Sequence, residues 1–359
     1  MQTLTLRPSF LPPTTEIFIG KHILKTGRLK DFCKSLGSKI VIISDARVKD
    51  LYGVSLAKTL QGELLTIPDG EQAKTKQIQE SIIDTLFHMN CGKDTVLVAL
   101  GGGITTDLVG FISSIYKRGV PLVLIPTTLL AIVDAAIGGK TAINTPFGKN
   151  LIGTLYHPKA IFADLATLST LSEKEWMNGI AEILKMGLIF DSAIWEIAKK
   201  NLKDIQLISR AIQGKITIVE QDPWDKSLRH ILNFGHTIGH ALELLSQYKI
   251  SHGEAVALGS VVESHLSMRL GYLSSQDFSS IQHMYRPFHH KLPSLYSRES
   301  FFAALSHDKK RQKNEIRFVC IDQIGHAVPF ENTYCRAVSV QELEPTLLWM
   351  EKTYGISPH

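Results

Sequence analysis

Three histidines and a glutamate in the second half of the sequence have the residue types and spacing of a zinc site. His236 and His240 stand at positions i and i+4, so a helix places both imidazoles on one face. His252 follows in the segment SHGE, and Glu182 lies with Lys185 in the apolar stretch GIAEILK, where a buried charge requires a partner or a metal ion. A catalytic zinc usually has three protein ligands and an open position, so one of the four candidates is surplus. Spacing alone does not identify it, and hydrogen-bonded core histidines beside a surface glutamate are the non-catalytic alternative.

A second candidate site is the glycine-rich turn GGGITTD at residues 101–107. It connects the apolar run TVLVAL, which is typical of a buried strand, to a stretch with helical periodicity. Glycines let backbone N–H groups approach a pyrophosphate closely, and the start of a helix adds a favourable partial charge. The turn differs from the usual dinucleotide fingerprint, because Thr106 stands where the last glycine is expected. It predicts nucleotide binding, with a tight strand-to-helix connection that binds nothing as the alternative.

Two polar turns and a lysine-containing loop extend the nucleotide prediction. Asp45 ends a predicted strand, where a carboxylate can accept hydrogen bonds from ribose hydroxyls. The segment Asp69–Lys74 is another polar turn at a strand end, and three such turns would line one crevice. The loop 138–150 contains Lys140 and Lys149 among turn residues, where they can hold a carboxylate or a phosphate. Solvated surface lysines are the alternative for this loop.

The stretches between these motifs predict the elements that must position them. The strand-length apolar runs are Ile40–Ile43, Thr95–Leu100 and Pro121–Ile125. They alternate with stretches of helical periodicity, a pattern typical of βαβ units with a parallel sheet. After Ser172, which with Glu175 has the pattern of a capping box, the periodicity is almost continuously helical. We therefore predict an α/β domain at residues 1–172 and a mostly α-helical domain at residues 173–359.

The composition excludes several classes of protein. Of 359 residues 44% are hydrophobic and 20% are charged, which excludes a disordered or collagen-like chain. The net charge of +5 includes no long basic block, so we expect a small anionic ligand and no nucleic acid. Four cysteines without a C-x-x-C pair predict neither a disulfide framework nor a cysteine zinc site. With no signal-peptide core and no run of about 18 apolar residues, we expect a cytoplasmic protein that does not bind membranes.

Taken together, these motifs resemble those of the 3-dehydroquinate synthase family of sugar-phosphate cyclases. The matching strings run in order from about residue 69 to residue 310 and include GGGITTDLVGF, YKRGVPLVLIPTTLLAIVDAAIGGKTAINTPFGKN, LIGTLYHPKAIFADLATLSTL, NGIAEILKMGLI, LRHILNFGHTIGHALE, SHGEAVALG and HDKK. The resemblance implies an NAD-binding α/β domain with a parallel sheet, followed by an α-helical metal- and substrate-binding domain. It also implies the family's reaction, in which 3-deoxy-D-arabino-heptulosonate 7-phosphate becomes 3-dehydroquinate and phosphate while NAD⁺ is used and regenerated.

The resemblance assigns roles residue by residue. It implies that Glu182, His236 and His252 bind Zn²⁺ or Co²⁺, so that His240 contacts substrate instead. The implied catalytic residues are Lys185, Lys215, His240, Arg229, Asp134 and Asn233. The implied substrate-binding residues are Lys140, Asn150, Arg118 and Asp225. Arg118 corresponds to an arginine that reaches a neighbouring subunit's site, which implies a homodimer. The implied NAD contacts are Asp45, Asp69, Gly70, Glu71, Lys74, Gly102, Gly103, Ile104, Thr105, Thr106, Asp107, Thr127, Thr128, Lys140, Lys149, Thr167, Leu168, Ser169, Thr170 and Leu171.

The chain departs from the family pattern in two places. The usual GGGVIGD turn is GGGITTD, so Thr106 adds a side chain beside the pyrophosphate path, and we expect Thr106→Gly to lower the KM for NAD⁺. The usual D-E-x-E-x-G-L-R stretch is DPWDKSLR at residues 222–229, which places Asp225 where a glutamate is usual. Lys215 and Arg229 keep their places relative to His236, so we expect an active enzyme.

Three other activities fit parts of the same pattern. Another sugar-phosphate cyclase, making a valiolone or an inosose, would keep the NAD and metal sites and change the substrate loop. An oxidoreductase similar to glycerol dehydrogenase would share the fold and the metal but release NADH. A non-catalytic binding protein on the same scaffold is the third alternative. The role of Lys309 and Lys310 in HDKK is open, because these lysines either close over a ligand or stay solvated.

Overall fold

The computed structural model describes residues 14–288, 291–307, 316–331 and 333–355. Lys309 and Lys310 lie outside the described residues. The chain divides into two compact units, the first formed by Met1–Thr127 and Gly138–Thr167 and the second by Thr128–Ile137 and Leu168–His359. The sequence predicts two continuous domains and does not anticipate that the short segment Thr128–Ile137 groups with the later residues.

The first unit is built on a six-stranded sheet in which neighbouring strands are parallel. The strands of this unit are β1 (Glu16–Gly20), β2 (Lys39–Asp45), β3 (Glu63–Ile67), β4 (Thr95–Gly101), β5 (Leu122–Pro126), β6 (Lys140–Thr145), β7 (Gly148–Leu155) and β8 (Ala160–Asp164). The sheet order is β1-β8-β5-β4-β2-β3, while β6 and β7 form a separate antiparallel pair. The three predicted apolar runs fall in β2, β4 and β5, and every residue of β4 and β5 is buried, as continuous apolar runs indicate.

The strand order creates a switch point between β2 and β4. From β2 the chain passes to β3 on one side and then to β4 on the other side of β2. In open α/β sheets ligands bind outside the carboxyl ends of the strands at such a point. Asp45 and Gly101 are the last residues of β2 and β4, so both lie at this edge.

Helices of the first unit connect the strands and cover the sheet. They are α1 (Gly27–Leu36), α2 (Ala46–Val48), α3 (Val54–Leu60), α4 (Lys76–His88) and α5 (Gly103–Ile115). A π-helical turn at Lys49–Gly53 joins α2 to α3. One core cluster packs Leu29 of α1 against Ile42, Val98 and Phe162 of the sheet.

The second unit is mostly helical. Its helices are α6 (Glu173–Ile189), α7 (Ser192–Ala198), α8 (Ile205–Gln221), α9 (His236–Leu245), α10 (His252–Arg269), α11 (Ser275–Met284), α12 (Arg298–His307) and α13 (Val340–Tyr354). Its short strands are β9 (Ile316–Phe318), β10 (Ile321–Gln323), β11 (His326–Ala327) and β12 (Arg336–Val338). Ser172 caps α6 by accepting the Glu175 N–H at 3.3 Å. The predicted fold class, a parallel α/β part and a helical part, is confirmed.

Within the described ranges, none of the helices has both the length and the apolar character needed to span a bilayer.

Candidate functional site

Three helices of the second unit bring potential metal ligands together. Glu182 lies in α6, His236 is the first residue of α9 and His252 is the first residue of α10. Oε1 of Glu182 lies 3.4 Å from Nε2 of His236 and 3.2 Å from Nε2 of His252. Ligand atoms of the three residues lie within 4.8 Å of one another. One carboxylate and two imidazoles are a donor set that fits Zn²⁺ or Co²⁺.

His240 lies outside this group of three. Its ring centroid is 5.2 Å from that of His236, almost the same as the 5.3 Å between His236 and His252. Ring spacing therefore does not separate the two candidates. What separates them is the position of the ligand atoms, because those of Glu182, His236 and His252 lie within 4.8 Å of one another, whereas His240 is exposed and does not belong to this group.

Glycines at the helix contacts allow these ligands to converge. A Cβ added at Gly259 of α10 would lie 1.9 Å from the carbonyl oxygen of Gly235, directly before α9. A Cβ added at Gly253 of α10 would lie 2.4 Å from Cα of Asn178 in α6. The Gly253 N–H also donates to the Asn178 side-chain oxygen at 3.2 Å. Only glycine permits such close backbone approach, so the helix segments that carry the three ligands lie side by side.

The charges around this group hold its members in different protonation states. Burial acts to raise the pKa of Glu182, but the Lys185 ammonium and His252 outweigh it and hold this pKa at about 2. Burial, together with Lys185 and the neighbouring histidines, holds the pKa of His236 well below its ordinary value, which leaves the neutral imidazole that binds metals. Burial also acts to lower the pKa of His252, but the carboxylates of Glu182 and Glu243 raise it to about 10.

Buried cations lie next to the potential metal ligands. Lys185, 2% exposed, pairs with Glu182 and donates to the carbonyl oxygen of Leu232 at 2.7 Å. Lys215 of α8 is buried and pairs with Asp134, which lies in a π-helical turn at residues 131–135. Burial lowers the pKa of Lys215, as does the positive charge of Lys185, while Asp134 opposes them. Cations held out of water in this way favour an anionic ligand.

The divergent loop 222–229 is organised by its first residue. The Asp222 carboxylate accepts backbone N–H groups from Lys226 at 2.9 Å, Ser227 at 2.7 Å and Arg229 at 3.0 Å. Burial acts to raise the pKa of Asp222, but these hydrogen bonds outweigh it and lower the pKa. Asp225 adopts a left-handed backbone conformation with φ 57° within this loop. The loop therefore remains ordered around Asp222 despite its unusual sequence, and it leads into the 3₁₀ helix Leu228–Asn233.

Arg229 and Asn233 lie in that short helix. Arg229 is buried, and burial lowers the pKa of its guanidinium while Asp225, Asp134 and Asp222 oppose the shift. The Arg229 side chain donates to the carbonyl oxygen of Pro223 at 3.3 Å. Most of the residues that the resemblance implies for catalysis thus lie in one part of the second unit.

The glycine turn of the first unit forms the start of α5. Gly102 caps this helix and Gly103 begins it, and the Thr106 N–H donates to the Gly102 carbonyl oxygen at 3.0 Å. The amides of Gly103, Ile104 and Thr105 precede the first intrahelical bond, so they have no acceptor within the helix. Such amides are suited to binding a phosphate group.

Thr106 lies inside the first turn of α5. The residue is 2% exposed, and its hydroxyl donates to the Gly103 carbonyl oxygen at 3.0 Å. Its amide is used within the helix as well. The amide and the hydroxyl of Thr106 thus both donate within α5, which favours a structural role for this side chain, and its expected contact with NAD⁺ stays a prediction.

Asp45 faces this turn from the end of β2. Its carboxylate accepts the Val48 N–H at 2.9 Å, and a Cβ added at Gly101 would lie 3.1 Å from Asp45 Oδ2. Burial raises the pKa of Asp45, and the charge of Asp69 adds to this effect. Asp69 in turn accepts the Arg47 N–H at 3.3 Å. The carboxylate at the switch point is thus fixed in position by its surroundings.

The polar turn at residues 69–74 and the loop that contains Lys149 form one network. Lys74, which is buried, donates to Asp107 Oδ2 and to Asn150 Oδ1, both at 2.5 Å. Glu71 accepts a hydrogen bond from Asn144 at 2.5 Å and lies 3.8 Å from the Lys149 ammonium. The sequence predicted these groups as separate motifs and missed Asn144, which has no local pattern that marks it.

The other implied NAD contacts lie in short connections. Gly70 has a φ of 78° before a 3₁₀ turn. The Thr127 N–H donates to the Gly101 carbonyl oxygen at 2.9 Å, and the Thr128 hydroxyl accepts the Ala131 N–H at 3.2 Å. Of the stretch 167–171, the two buried residues are Thr167 and Leu168, while Ser169 and Thr170 are exposed and Leu171 is half-buried.

Arg118 and Lys140 are both exposed. Arg118 has a φ of 63° and precedes Gly119 with a φ of 113°, so it projects from a tight turn after α5. Lys140 begins β6.

Comparison with known proteins places these features in context. Residues 64–178 match the model of the 3-dehydroquinate synthase N-terminal domain, and residues 179–311 match the model of its C-terminal domain. The 3-dehydroquinate synthase of Campylobacter concisus is 41% identical over 304 residues, which cover 82% of this chain and 88% of that protein.

Two solved structures are similar along almost the whole chain. One is 2-deoxy-scyllo-inosose synthase complexed with carbaglucose-6-phosphate, NAD⁺ and Co²⁺, with a TM-score of 0.83 and 25% identity, covering 92% of this chain and 95% of that chain. The other is 2-epi-5-epi-valiolone synthase from Streptomyces hygroscopicus with NAD⁺ and Zn²⁺ bound, with a TM-score of 0.84 and 28% identity, covering 97% and 100%.

Proposed function

Because the chain belongs to the 3-dehydroquinate synthase family, we propose that it converts 3-deoxy-D-arabino-heptulosonate 7-phosphate to 3-dehydroquinate and phosphate. The observation that carries the proposal is the group Glu182, His236 and His252 next to the buried cation Lys185. A metal site alone fits many reactions, whereas a metal site beside buried cations suits an alcohol that carries a leaving phosphate. The phosphate elimination makes the enzyme a lyase.

The proposed cofactors are NAD⁺ and a divalent metal, Zn²⁺ or Co²⁺. NAD⁺ would lie against the amides at the start of α5, with Asp45 near its ribose and the Glu71 and Lys74 network beside it. Glu182, His236 and His252 would hold the metal. When bound, the metal lowers the pKa of a substrate hydroxyl and NAD⁺ accepts and returns a hydride, and similar structures contain NAD⁺ with Co²⁺ or Zn²⁺.

The chain's own residues supply charge and orientation. Lys185 is held between Glu182 and the Leu232 carbonyl oxygen, and its ammonium would lie beside the reacting end of a substrate bound at the metal. Lys215 is oriented by Asp134, and with Arg229 and His240 it would stabilise the phosphate and the enolate that precedes its departure. The family resemblance implies that the substrate's own phosphate takes the proton. Asn233 and Asp225 would orient the open chain for the final intramolecular aldol step, which lowers its entropic cost.

A phosphate-release assay with the heptulosonate phosphate tests the proposal. We expect phosphate release at constant NAD⁺, loss of release with a chelator, and recovery with Zn²⁺ or Co²⁺. Accumulation of NADH in proportion to substrate would indicate an oxidoreductase instead. A chain that binds NAD⁺ and zinc but releases no phosphate would be a binding protein. Release from a hexose 6-phosphate in preference to the heptulosonate would indicate one of the other cyclases.

We also propose a homodimer in the cytoplasm. Arg118 is exposed and would reach the partner's site. Phe147, in the turn between β6 and β7, is 91% exposed and Ile152 of β7 is 48% exposed, and a second copy would cover this apolar surface. The four cysteines are buried free thiols, which suits a reducing compartment. Residues 1–172 would bind NAD⁺ and residues 173–359 the metal and substrate.

A further inference from the structure

Each ring nitrogen of His252 faces a carboxylate. Nε2 lies 3.2 Å from Glu182 Oε1, and Nδ1 lies 3.6 Å from Oε1 of Glu243. Glu243 belongs to α9 and is 8% exposed. A metal-binding histidine commonly directs its other nitrogen at a carboxylate, which fixes the tautomer, orients the ring and raises its basicity as a ligand. Glu243 has the position of that partner.

His236 is positioned through its backbone. Its Nδ1 lies 3.1 Å from the carbonyl oxygen of Phe234, which leaves Nε2 directed at Glu182. Gly235, between Phe234 and His236, has a φ of 78°. The ring direction therefore depends on how this turn is held at the start of α9.

Glu263 of α10 holds that turn. Its side chain is fully buried, and its carboxylate accepts the Gly235 N–H at 2.8 Å and the Ile238 N–H at 3.2 Å. The two amides flank His236 and lie at a helix start, where N–H groups have no acceptor within the helix and a negative charge is favourable. Burying a carboxylate costs free energy unless hydrogen bonds compensate for the lost water, and the two amides of this turn provide such hydrogen bonds to Glu263.

The contact of Glu243 with His252 and the contact of Glu263 with the Gly235 turn join the same two antiparallel helices, α9 and α10. The end of α9 supplies Glu243 to the first residue of α10, and α10 supplies Glu263 to the start of α9. We propose that Glu243 and Glu263 are positioning residues of the metal centre, each acting from one helix on the histidine ligand carried by the other. This inference rests on the ligand set proposed above.

The test measures metal binding by the purified full-length protein. The chain is stripped with a chelator, the zinc dissociation constant is measured by competition with a chromophoric chelator, and the visible spectrum is recorded with Co²⁺. The variants are Glu243→Gln, Glu263→Gln and Glu263→Asp, which keeps the buried charge. Glu342→Gln is the matched control, because Glu342 also caps a helix, α13, by accepting the Ser339 N–H at 2.9 Å.

We expect Glu243→Gln and Glu263→Gln to weaken zinc binding about 10- to 100-fold, the usual effect of removing a partner of a metal ligand. The cobalt spectrum should change in both, and Glu263→Asp should recover part of the affinity. Glu342→Gln should match the wild type in both measurements. A purely structural role would lower the thermal stability of the metal-free protein without altering the cobalt spectrum.

Zinc affinities within about threefold of wild type and unchanged cobalt spectra for the glutamate variants would overturn the inference. If Glu263→Gln does not fold, Glu263→Asp decides for that position, since a shortened carboxylate that leaves affinity and spectrum unchanged overturns its role. His252→Ala separates the two proposals. Full zinc affinity in His252→Ala would overturn the ligand set itself, whereas its loss alongside unaffected glutamate variants would overturn only the positioning roles.

Discussion

The acid sensitivity of the helical unit should depend on His265. This residue of α10 is 6% exposed and stacks on Trp349, with ring centroids 4.1 Å apart and planes 7° from parallel. Its Nδ1 lies 3.1 Å from the Thr346 hydroxyl oxygen. Burial lowers the pKa of His265 from 6.5 to about 4, and the charge of Arg269 adds to the effect. Protonation therefore places a charge inside an aromatic cluster.

The sign and size of the effect follow from that pKa. The unfolded chain binds the proton at higher pH than the folded chain, so the contribution is present above about pH 6.5 and is lost as the pH falls toward 4. A difference of about 2.5 pKa units corresponds to roughly 3.4 kcal/mol at most. Solvent screening reduces this value, and we expect about 2 kcal/mol of the acid-dependent change in the free energy of unfolding to come from His265.

The measurement is urea unfolding of wild type and His265→Phe at pH 7.5, 6.0 and 5.0, followed by circular dichroism and tryptophan fluorescence. Phe keeps an aromatic ring beside Trp349 but cannot bind a proton. Because part of the titration lies below pH 5.0, we expect the variant to lose about 1.5 kcal/mol less stability than wild type between pH 7.5 and 5.0. His326→Gln is the control, because His326 is exposed. Equal pH dependence in wild type and His265→Phe would refute the argument.

Three further predictions concern the candidate site. His252→Ala should lose bound zinc, while His240→Ala should keep about one zinc per chain and lose turnover, as measured by metal analysis and phosphate release. Asp134→Asn leaves the Lys215 ammonium buried without its carboxylate, so we expect about 3 kcal/mol lower stability in urea and slower phosphate release. Because the Thr106 side chain is buried, Thr106→Gly should cost about 1 kcal/mol of stability and leave the KM for NAD⁺ unchanged, whereas a lower KM would show that this side chain hinders NAD⁺, as expected from the sequence.

The sheet could be predicted from sequence because its signal is local. The apolar runs in β2, β4 and β5 are continuous, since these strands are buried on both faces. The segment 128–137 could not be placed in this way, because its grouping depends on distant residues. A Cβ added at Gly179 would lie 2.4 Å from Leu129 Cγ, and Asp134 pairs with Lys215. The sequence pattern of residues 128–137 alone predicts neither Gly179 nor Lys215 as a contact of this segment.

The ligands of the candidate metal site are also difficult to predict from local sequence patterns. Helical spacing pairs His236 with His240, yet the second imidazole that directs a nitrogen at Glu182 belongs to His252, which is the first residue of another helix. The choice between them depends on the antiparallel packing of α9 and α10, and that packing depends on Gly259 lying against Gly235. Glutamates within a helix, such as Glu243 and Glu263, resemble surface residues in sequence. Only the folded contact between the two helices gives these carboxylates a role, so residues that position ligands are the part of a site that spacing rules miss.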